Sequence, residues 1–379
     1  MNTIRLRAVG DNLIHRQLYE AARLTEGGYD FHGMYEHILG LINEAEIAVI
    51  NQETILVEDE NKVSSFPAFG SPMVVGDAII DAGFNVVTHA SNHALDKGYK
   101  AICDTVSYWE RRQEDKDIVY TGIHTSKEDQ EKIRVVVRDG IRVAILNYTS
   151  TLNYHPVMPS HSYCVDVMKG YTKGRIKKQI EEARKIADIV AVFPHWGCEY
   201  LYEPVDIQKE WAFIFANAGA DIIIGTHPHV VQNMTVITTL DNRKVPCIFS
   251  LGNYISCQVN QGTMLGGMAD VEITKGNNRA KITKAKIIPL VTHTDDHYSH
   301  FTTYPLSSYT DELAGENKIF KIMERNLGIR IDTEYLNKLF NDIMTKQAMK
   351  DSIFKRPSDV TWANIEGVYN ALRGINTKE

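Results

Sequence analysis

Ile222-Ile223-Ile224 is a run of three β-branched apolar residues, and no other stretch narrows the possible folds as far. A strand apolar on both faces has to be covered on both, as happens to a central strand of a parallel sheet flanked by helices. Helical sequence over Asp206–Ala218 precedes the run, and Gly225-Thr-His-Pro-His229 comes directly after it. Helix, buried strand and polar loop in that order are the repeating unit of an α/β fold. The loop leaves a rigid strand end, and Pro228 drives the backbone of Thr226-His227 toward extended geometry, so both imidazoles have little freedom. Such a pair is either two metal ligands or two hydrogen-bonded loop histidines, and a lone His-x-His does not separate the two.

The same unit recurs along the chain. Strands are predicted over 3–9, 47–50, 84–87, 118–120, 189–193 and 245–250, and helices over 34–43, 72–82, 99–112 and 173–187. Gly83 reads as the cap after one of these helices. Asp139-Gly140 reads as the turn of a hairpin between 133–137 and 142–146. Runs at 268–273 and 282–290 alternate in the antiparallel manner. The polar stretch 58–65 is expected to form a flap. The segment 147–170, with His155, Pro156, Pro159 and His161, is either a lid or a surface crossover.

The residues just past the strands differ sharply in chemistry. The strand ends carry Asp11, then Glu53, then Asn92 and His93 with Asp96 close behind, then His195 with Glu199, then His227 and His229, and last Asn253. There is also an internal echo. Asp81-Ala-Gly-Phe-Asn-Val-Val-Thr-His-Ala-Ser-Asn-His93 matches Asn217-Ala-Gly-Ala-Asp-Ile-Ile-Ile-Gly-Thr-His-Pro-His229 position for position, so His93 falls on His229. Singly, Asp11 and Glu53 could be helix caps, Asn92 a turn residue and His195 a core histidine. In open α/β sheets, however, ligands collect beyond the carboxyl ends of the strands. Two carboxylates, an amide and three or more imidazoles there suit a pair of divalent first-row metals.

Composition limits the rest. With 379 residues the chain has room for one large α/β domain and an appendage. A formal charge of −7 argues against a nucleic-acid partner. Met1 to Gly10 goes straight into strand-like alternation with no signal or membrane segment, so a cytoplasmic protein is expected. Five cysteines without a Cys-x-x-Cys pair read as reduced thiols. His293-Thr-Asp-Asp-His-Tyr-Ser-His300 looks like a metal cluster, but it is expected to be a solvated loop past the last strand. Beyond it, Phe320, Met323 and Leu327 mark an amphipathic helix, and a second helix is expected over 333–344. The expected division is a domain over 1–292 and a loop plus helical extension over 293–379.

Gly10-Asp11, Asn51-Gln-Glu53, Asn92-His-Ala-Leu-Asp96, His195-Trp-Gly-Cys-Glu-Tyr200, Gly225-Thr-His-Pro-His229 and Ser250-Leu-Gly-Asn253 together resemble the CapA/PgsA family of poly-γ-glutamate capsule biosynthesis proteins, within the calcineurin-like metallophosphoesterase superfamily. The resemblance implies a four-layer α-β-β-α sandwich, here with a C-terminal helical extension. It implies two divalent metal ions, Mn, Zn or Fe, with Asp11 and His229 on one, Asn92, His195 and His227 on the other, and Glu53 bridging. By the same analogy His93 resembles the catalytic histidine; in a catalytic site it would protonate the leaving atom, with Asp96 orienting it and His15, Glu199 and Asn253 supporting ligands or substrate, the alternative for Asp96 and Glu199 being a helix cap or salt bridge. The activity implied is hydrolysis of a phosphoester or γ-glutamyl-type amide in an anionic small molecule or polymer. The alternative is a non-catalytic accessory protein of capsule polymer assembly, with capsule-synthesis proteins as partners. The chain departs from the superfamily at Asp11-Asn-Leu13, where Asp-x-His is usual, and this leaves the metal of Asp11 and His229 one ligand short.

Overall fold

In the computed structural model the triple isoleucine forms Ile222–Ile224, an inner strand of a six-stranded sheet. The strand order is Val231–Thr238, Lys244–Leu251, Ile222–Ile224, Ile189–His195, Ile141–Thr149, Arg134–Arg138. The four inner strands are parallel, and both edge strands run antiparallel to their neighbours. The edge pair Arg134–Arg138 and Ile141–Thr149 is the expected hairpin, with Asp139 at φ 48° and Gly140 at φ 74°. Two consecutive positive φ values match the tight turn that suits twisted strands. The structure describes residues 1–345 apart from Tyr154, Pro156 and Asn278; the part of the expected extension beyond 345 and Pro156 of the 147–170 segment lie outside them.

A second sheet runs in the order Phe301–Pro305, Lys281–Thr294, Leu265–Lys275, Asn2–Asn12, Ile47–Gln52, Val86–Thr88, Val119–Thr121, with Asn253–Ile255 also paired to Asn2–Asn12. Its parallel half holds the N-terminal strands, and the antiparallel half is built from the late alternating runs. Ile4, Leu6, Val49 and Val86 of this sheet pack with Val143, Ile189, Ile222 and Ile248 of the other in one buried cluster. The outer faces are covered separately, one by helices Val74–Asp81 and Gly98–Gln113, the other by Lys173–Ile186 and Asp206–Ala218. The fold is therefore a four-layer α-β-β-α sandwich. Ile319, Phe320, Met323 and Leu336, from the C-terminal helices Lys318–Leu327 and Thr333–Thr345, join the cluster on the first of these outer faces.

Among the helices and strands, two segments differ from expectation. The helix predicted over 34–43 is broken into the turn His32–Met34 and the short helix Leu39–Asn43. The Tyr254 hydroxyl donates to the Met34 carbonyl at 2.7 Å, and the Ile38 amide bonds instead to Tyr35 O at 3.0 Å, so a continuous ladder is interrupted. The His293–His300 stretch does not begin past the last strand. His293 lies inside Lys281–Thr294, buried, with Nδ1 2.9 Å from the Tyr309 hydroxyl oxygen, and Phe301–Pro305 forms a further strand after it. Thr292 and Thr303 there donate to the Tyr254 carbonyl at 3.2 and 2.8 Å, so their polarity is satisfied internally and hides the strands from a hydropathy reading. Only the turn after Thr294 is solvated, with His297 and His300 exposed.

One glycine sets the register between the N-terminal strand and the late strands. A β-carbon on Gly10 would lie 1.8 Å from the Gly252 carbonyl oxygen, the same atom that accepts the Asp11 amide at 3.0 Å. Neither backbone can retreat without losing that bond. Gly10→Ala is expected to cost roughly 3 kcal/mol or more, the upper range for overpacking, read as a lower denaturation midpoint.

Candidate metal centre

The strand ends of both sheets place their polar residues around one point. Asp11 lies near the end of Asn2–Asn12, Glu53 just beyond Ile47–Gln52, and Asn92 and His93 beyond Val86–Thr88. From the other sheet come His195, the last residue of its strand, and His227 and His229 beyond Ile222–Ile224. All seven side chains are buried. The internal echo becomes physical here. Gly83 and Gly219 both end helices at positive φ, 100° and 128°. The two histidines that end the echoed segments, one from each sheet, lie on the same carboxylate oxygen, with Nε2 of His93 3.9 Å and Nε2 of His229 3.8 Å from Glu53 Oε1.

Glu53 is the centre of the group. His195 Nε2 is 3.7 Å from the same oxygen, yet among the described residues neither Glu53 oxygen accepts a hydrogen bond. Burial, reinforced by the nearby Asp11 carboxylate, pushes the Glu53 carboxyl well above its usual range. Burial pulls His229 down, but Glu53 and Asp11 overrule it and hold its ring up at about 9. Burial and then the neighbouring His227 and His229 rings keep His195 well below its ordinary value. A buried carboxylate without a donor is costly, and a cation removes the cost.

The remaining contacts orient the rings. His195 Nε2 is 2.8 Å from Asn92 Oδ1 and 3.1 Å from His227 Nδ1, while its Nδ1 is 3.0 Å from the Thr226 hydroxyl. His229 Nδ1 is 3.0 Å from Asn253 Oδ1 and 3.3 Å from Asp11 Oδ2. The Asn253 amide nitrogen in turn donates to Ser256, Gln258 and the Thr263 carbonyl, which fixes its oxygen toward the ring. His93 Nδ1 is 2.6 Å from Asp96 Oδ2, leaving Nε2 to face Glu53. His15 stands at the edge of the site, its Nδ1 accepting from the Cys257 amide at 3.3 Å. Burial and the His229 ring lower its pKa to about 4, so it is neutral. Glu199 sits half-buried at the rim, and its carboxylate reaches the His227 and His229 rings.

The His227-Pro-His229 loop departs from the expected extended backbone, with His227 at φ 98° and His229 at φ 60°. Positive φ is costly for residues with a side chain and persists where the surroundings impose it. Here the His227 amide donates to Asp11 Oδ2 at 3.1 Å, and that bond across the two sheets outweighs the preference set by proline.

Sequence reading missed four contributors. Asn51 donates to Asp11 Oδ1 at 2.7 Å and accepts from the Thr88 hydroxyl at 3.0 Å. It lies two residues before Glu53, and the period of two along a strand marks it as facing the same side. Thr226 was legible only as part of the loop motif. Phe69 sits edge-on to His93 and His15, with centroids 4.6 and 5.3 Å away, and its amide donates to Asp96 Oδ2 at 2.7 Å. Asn153 contacts both Asn92, at 3.3 Å, and His93, at 3.4 Å. Nothing local marks these last two, which come from the 58–70 and 147–170 segments.

The 147–170 segment is held at its base by a buried charge cluster. Asp166 Oδ2 is 2.8 Å from His124 Nε2, and Asp166 Oδ1 accepts from Gln130 and Arg175 at 3.1 and 2.9 Å. Burial lowers the His124 pKa, but Asp166 and Asp129 outweigh it and raise it above the ordinary value. Its stabilising contribution is fully present below about pH 6.5 and is lost as pH rises through the raised folded value. His124→Gln is expected to flatten the decline of the denaturation midpoint between pH 6 and pH 9 relative to wild type.

The donors fit a divalent cation. Glu53, His195 and His227 each offer a ligand atom within 4.8 Å of the others, as do Asp11, Glu53 and His229, with Glu53 common to both groups. Ligands each about 2.1 Å from one ion stand about 3.0–3.4 Å apart, and the 3.1 Å between His195 Nε2 and His227 Nδ1 falls in that range.

Comparison with known proteins now adds a lineage. The family model described as "Bacterial capsule synthesis protein PGA_cap" matches residues 5–258. The "PGA biosynthesis protein CapA" of Bacillus subtilis (strain 168) is 32% identical over 216 residues, covering 55% of this chain and 52% of that protein. The "Capsule biosynthesis protein CapA" of Bacillus anthracis is 28% identical over 256 residues, 65% of this chain and 58% of that protein. The chain thus spans about half the length of these relatives. Among solved structures, the calcineurin-like phosphoesterase YfkN of Bacillus subtilis aligns over 89% of this chain and 100% of its own, at 11% identity and a TM-score of 0.38. Among the described residues, no helix is long and apolar enough to cross a membrane.

Proposed function

The chain belongs to the bacterial capsule synthesis protein family PGA_cap, and from that premise we propose that it is a metal-dependent hydrolase holding two divalent cations. Its substrate in this reading is a phosphoester or γ-glutamyl-type amide in poly-γ-glutamate or a related anionic polymer. The observation that carries the proposal is Glu53, whose two buried oxygens have no hydrogen-bond donor among the described residues while His93, His195 and His229 lie within 4 Å of one of them. In a purely structural site a neutral residue there would spare the protein a buried charge; a shared cation ligand explains the carboxylate.

Glu53 is assigned to both cations, with Asp11 and His229 on one and Asn92, His195 and His227 on the other. Bound there, the cations supply Lewis acidity, lowering the pKa of water and offsetting negative charge on the scissile group. The protein supplies the proton. Asp96 accepts from His93 Nδ1, and the Phe69 amide holds Asp96 in place, so His93 Nε2 faces the centre as proton donor to the leaving atom. The Phe69 ring packs edge-on against the His93 ring, with centroids 4.6 Å apart.

A second reading, a binding protein of polymer assembly without turnover, draws on Leu13. That residue is buried and apolar where the superfamily places a histidine. The deciding experiment is metal analysis of protein purified without chelator, with assays on aryl phosphates and on poly-γ-glutamate. Turnover in wild type that His93→Ala loses supports the hydrolase. Binding of cation and polymer with wild type and His93→Ala equally inactive supports the second reading, and no cation binding with added manganese or zinc overturns both.

A further inference from the structure

We infer that Glu199 is a ligand of the cation held by Asp11 and His229, taking the place that Asp11-Asn-Leu13 leaves without a histidine; this rests on the metal-hydrolase reading above. A carboxylate oxygen of Glu199 and ring nitrogens of His227 and His229 lie within 4.8 Å of one another. Those two imidazoles also belong to the groups built on Glu53, one to each, so the group that contains Glu199 shares its rings with both of them.

The backbone fixes this placement. The short loop from His195 to Tyr200 is tied to the His227 loop at both ends, Trp196 N donating to Thr226 O at 3.0 Å and Tyr200 N to Pro228 O at 2.8 Å. Gly197, at φ 97°, makes the turn where a β-carbon would come within 2.6 Å of the Gln208 side chain. Glu199 is thereby held beside His227-Pro-His229.

Donor counting supports the same assignment. Asn92, His195, His227 and Glu53 make four donors for one cation, whereas Asp11, His229 and Glu53 make three for the other. Leu13 cannot contribute, being apolar and buried with its amide on Ile255 O at 3.1 Å. Glu199 brings the second set to four, the usual minimum for a first-row divalent ion. The orphaned oxygens of Glu53 are the independent sign that charge is missing at this point. A set of carboxylates, imidazoles and one amide suits manganese, iron or zinc over calcium.

The test is manganese titration of chelator-treated wild type and Glu199→Ala by calorimetry, with electron paramagnetic resonance to detect coupling between paired ions. Wild type is expected to bind two equivalents with a coupled signal. Glu199→Ala is expected to keep one equivalent, bind the other at least roughly 100-fold more weakly, and lose the coupling. Glu199→Asp should restore part of the lost affinity, and an unchanged melting temperature of the cation-free variants excludes unfolding as the cause. If Glu199→Ala binds both equivalents as wild type does, or wild type binds only one, Glu199 is not a ligand. If wild type binds none, the metal reading itself falls.

Discussion

Glu53→Gln is expected to raise the stability of the cation-free protein and to abolish its stabilisation by divalent cations. The two effects have one cause. In the wild type a carboxylate is enclosed with no donor on either oxygen among the described residues, and its folded-state pKa is raised by burial and by Asp11. A raised carboxyl contributes fully below the ordinary carboxylate range, and that contribution is lost as pH rises through its folded value. At neutral pH the wild type therefore carries a penalty that glutamine, neutral and nearly isosteric, does not, and the expected gain is about 1–3 kcal/mol. The gain should shrink as pH falls and vanish below about pH 3, where the wild-type carboxyl is protonated in both states. Adding manganese or zinc should invert the ranking, since a ligand at 100 times its Kd stabilises by about 2.7 kcal/mol and the variant lacks the shared ligand. Thermal melts of both proteins at two pH values, with and without cation, read all of this. A glutamine variant less stable than wild type in the cation-free state at neutral pH would mean that the carboxylate has a structural partner after all.

The second large effect concerns His93. If the chain is the proposed hydrolase, His93→Ala is expected to lower kcat by about 10²- to 10⁴-fold, the usual share of a positioned proton donor, with cation binding retained. Asp96→Asn should fall between the two, because it replaces the charged acceptor of Nδ1–H with a neutral amide oxygen and so weakens the bond that directs Nε2 to the centre. The discriminating readout is the pH profile. Loss of the acid should remove the high-pH limb of the kcat profile in His93→Ala and displace it in Asp96→Asn. An alanine variant that lost cations together with activity would make His93 a ligand and return the search for a proton donor to the neighbouring imidazoles His15 and His155, the latter 3.8 Å from Asp96.

The convergence of these polar residues was legible because they come from strand ends. A buried apolar strand has to stop at the sheet edge, so Asp11, Glu53, His195 and His229 were marked by the change from apolar run to polar loop. The echo of Asp81–His93 in Asn217–His229 went further, since both histidines reach Glu53 Oε1 from opposite sheets. Residues that act on this centre from loops left no such mark. Phe69 reads as one more aromatic in a polar excursion, and its position against His93 exists only because the 58–70 segment folds back over the site. His293 misled in the other direction: a polar sequence with hidden partners read as loop and proved to be strand.

By itself the sequence determined the layered α/β architecture and the set of residues that gather at its strand ends, because burial of apolar strands and the pleat period are local, repeating constraints. Only the tertiary structure decided how those residues meet. The φ of 98° at His227 answers to a hydrogen bond to Asp11, 216 positions away, against the preference of Pro228. The lone state of the Glu53 oxygens and the approach of Glu199 to His227 and His229 likewise arise from packing two sheets and pinning two loops, and distances of that kind are not encoded in any single window of the chain.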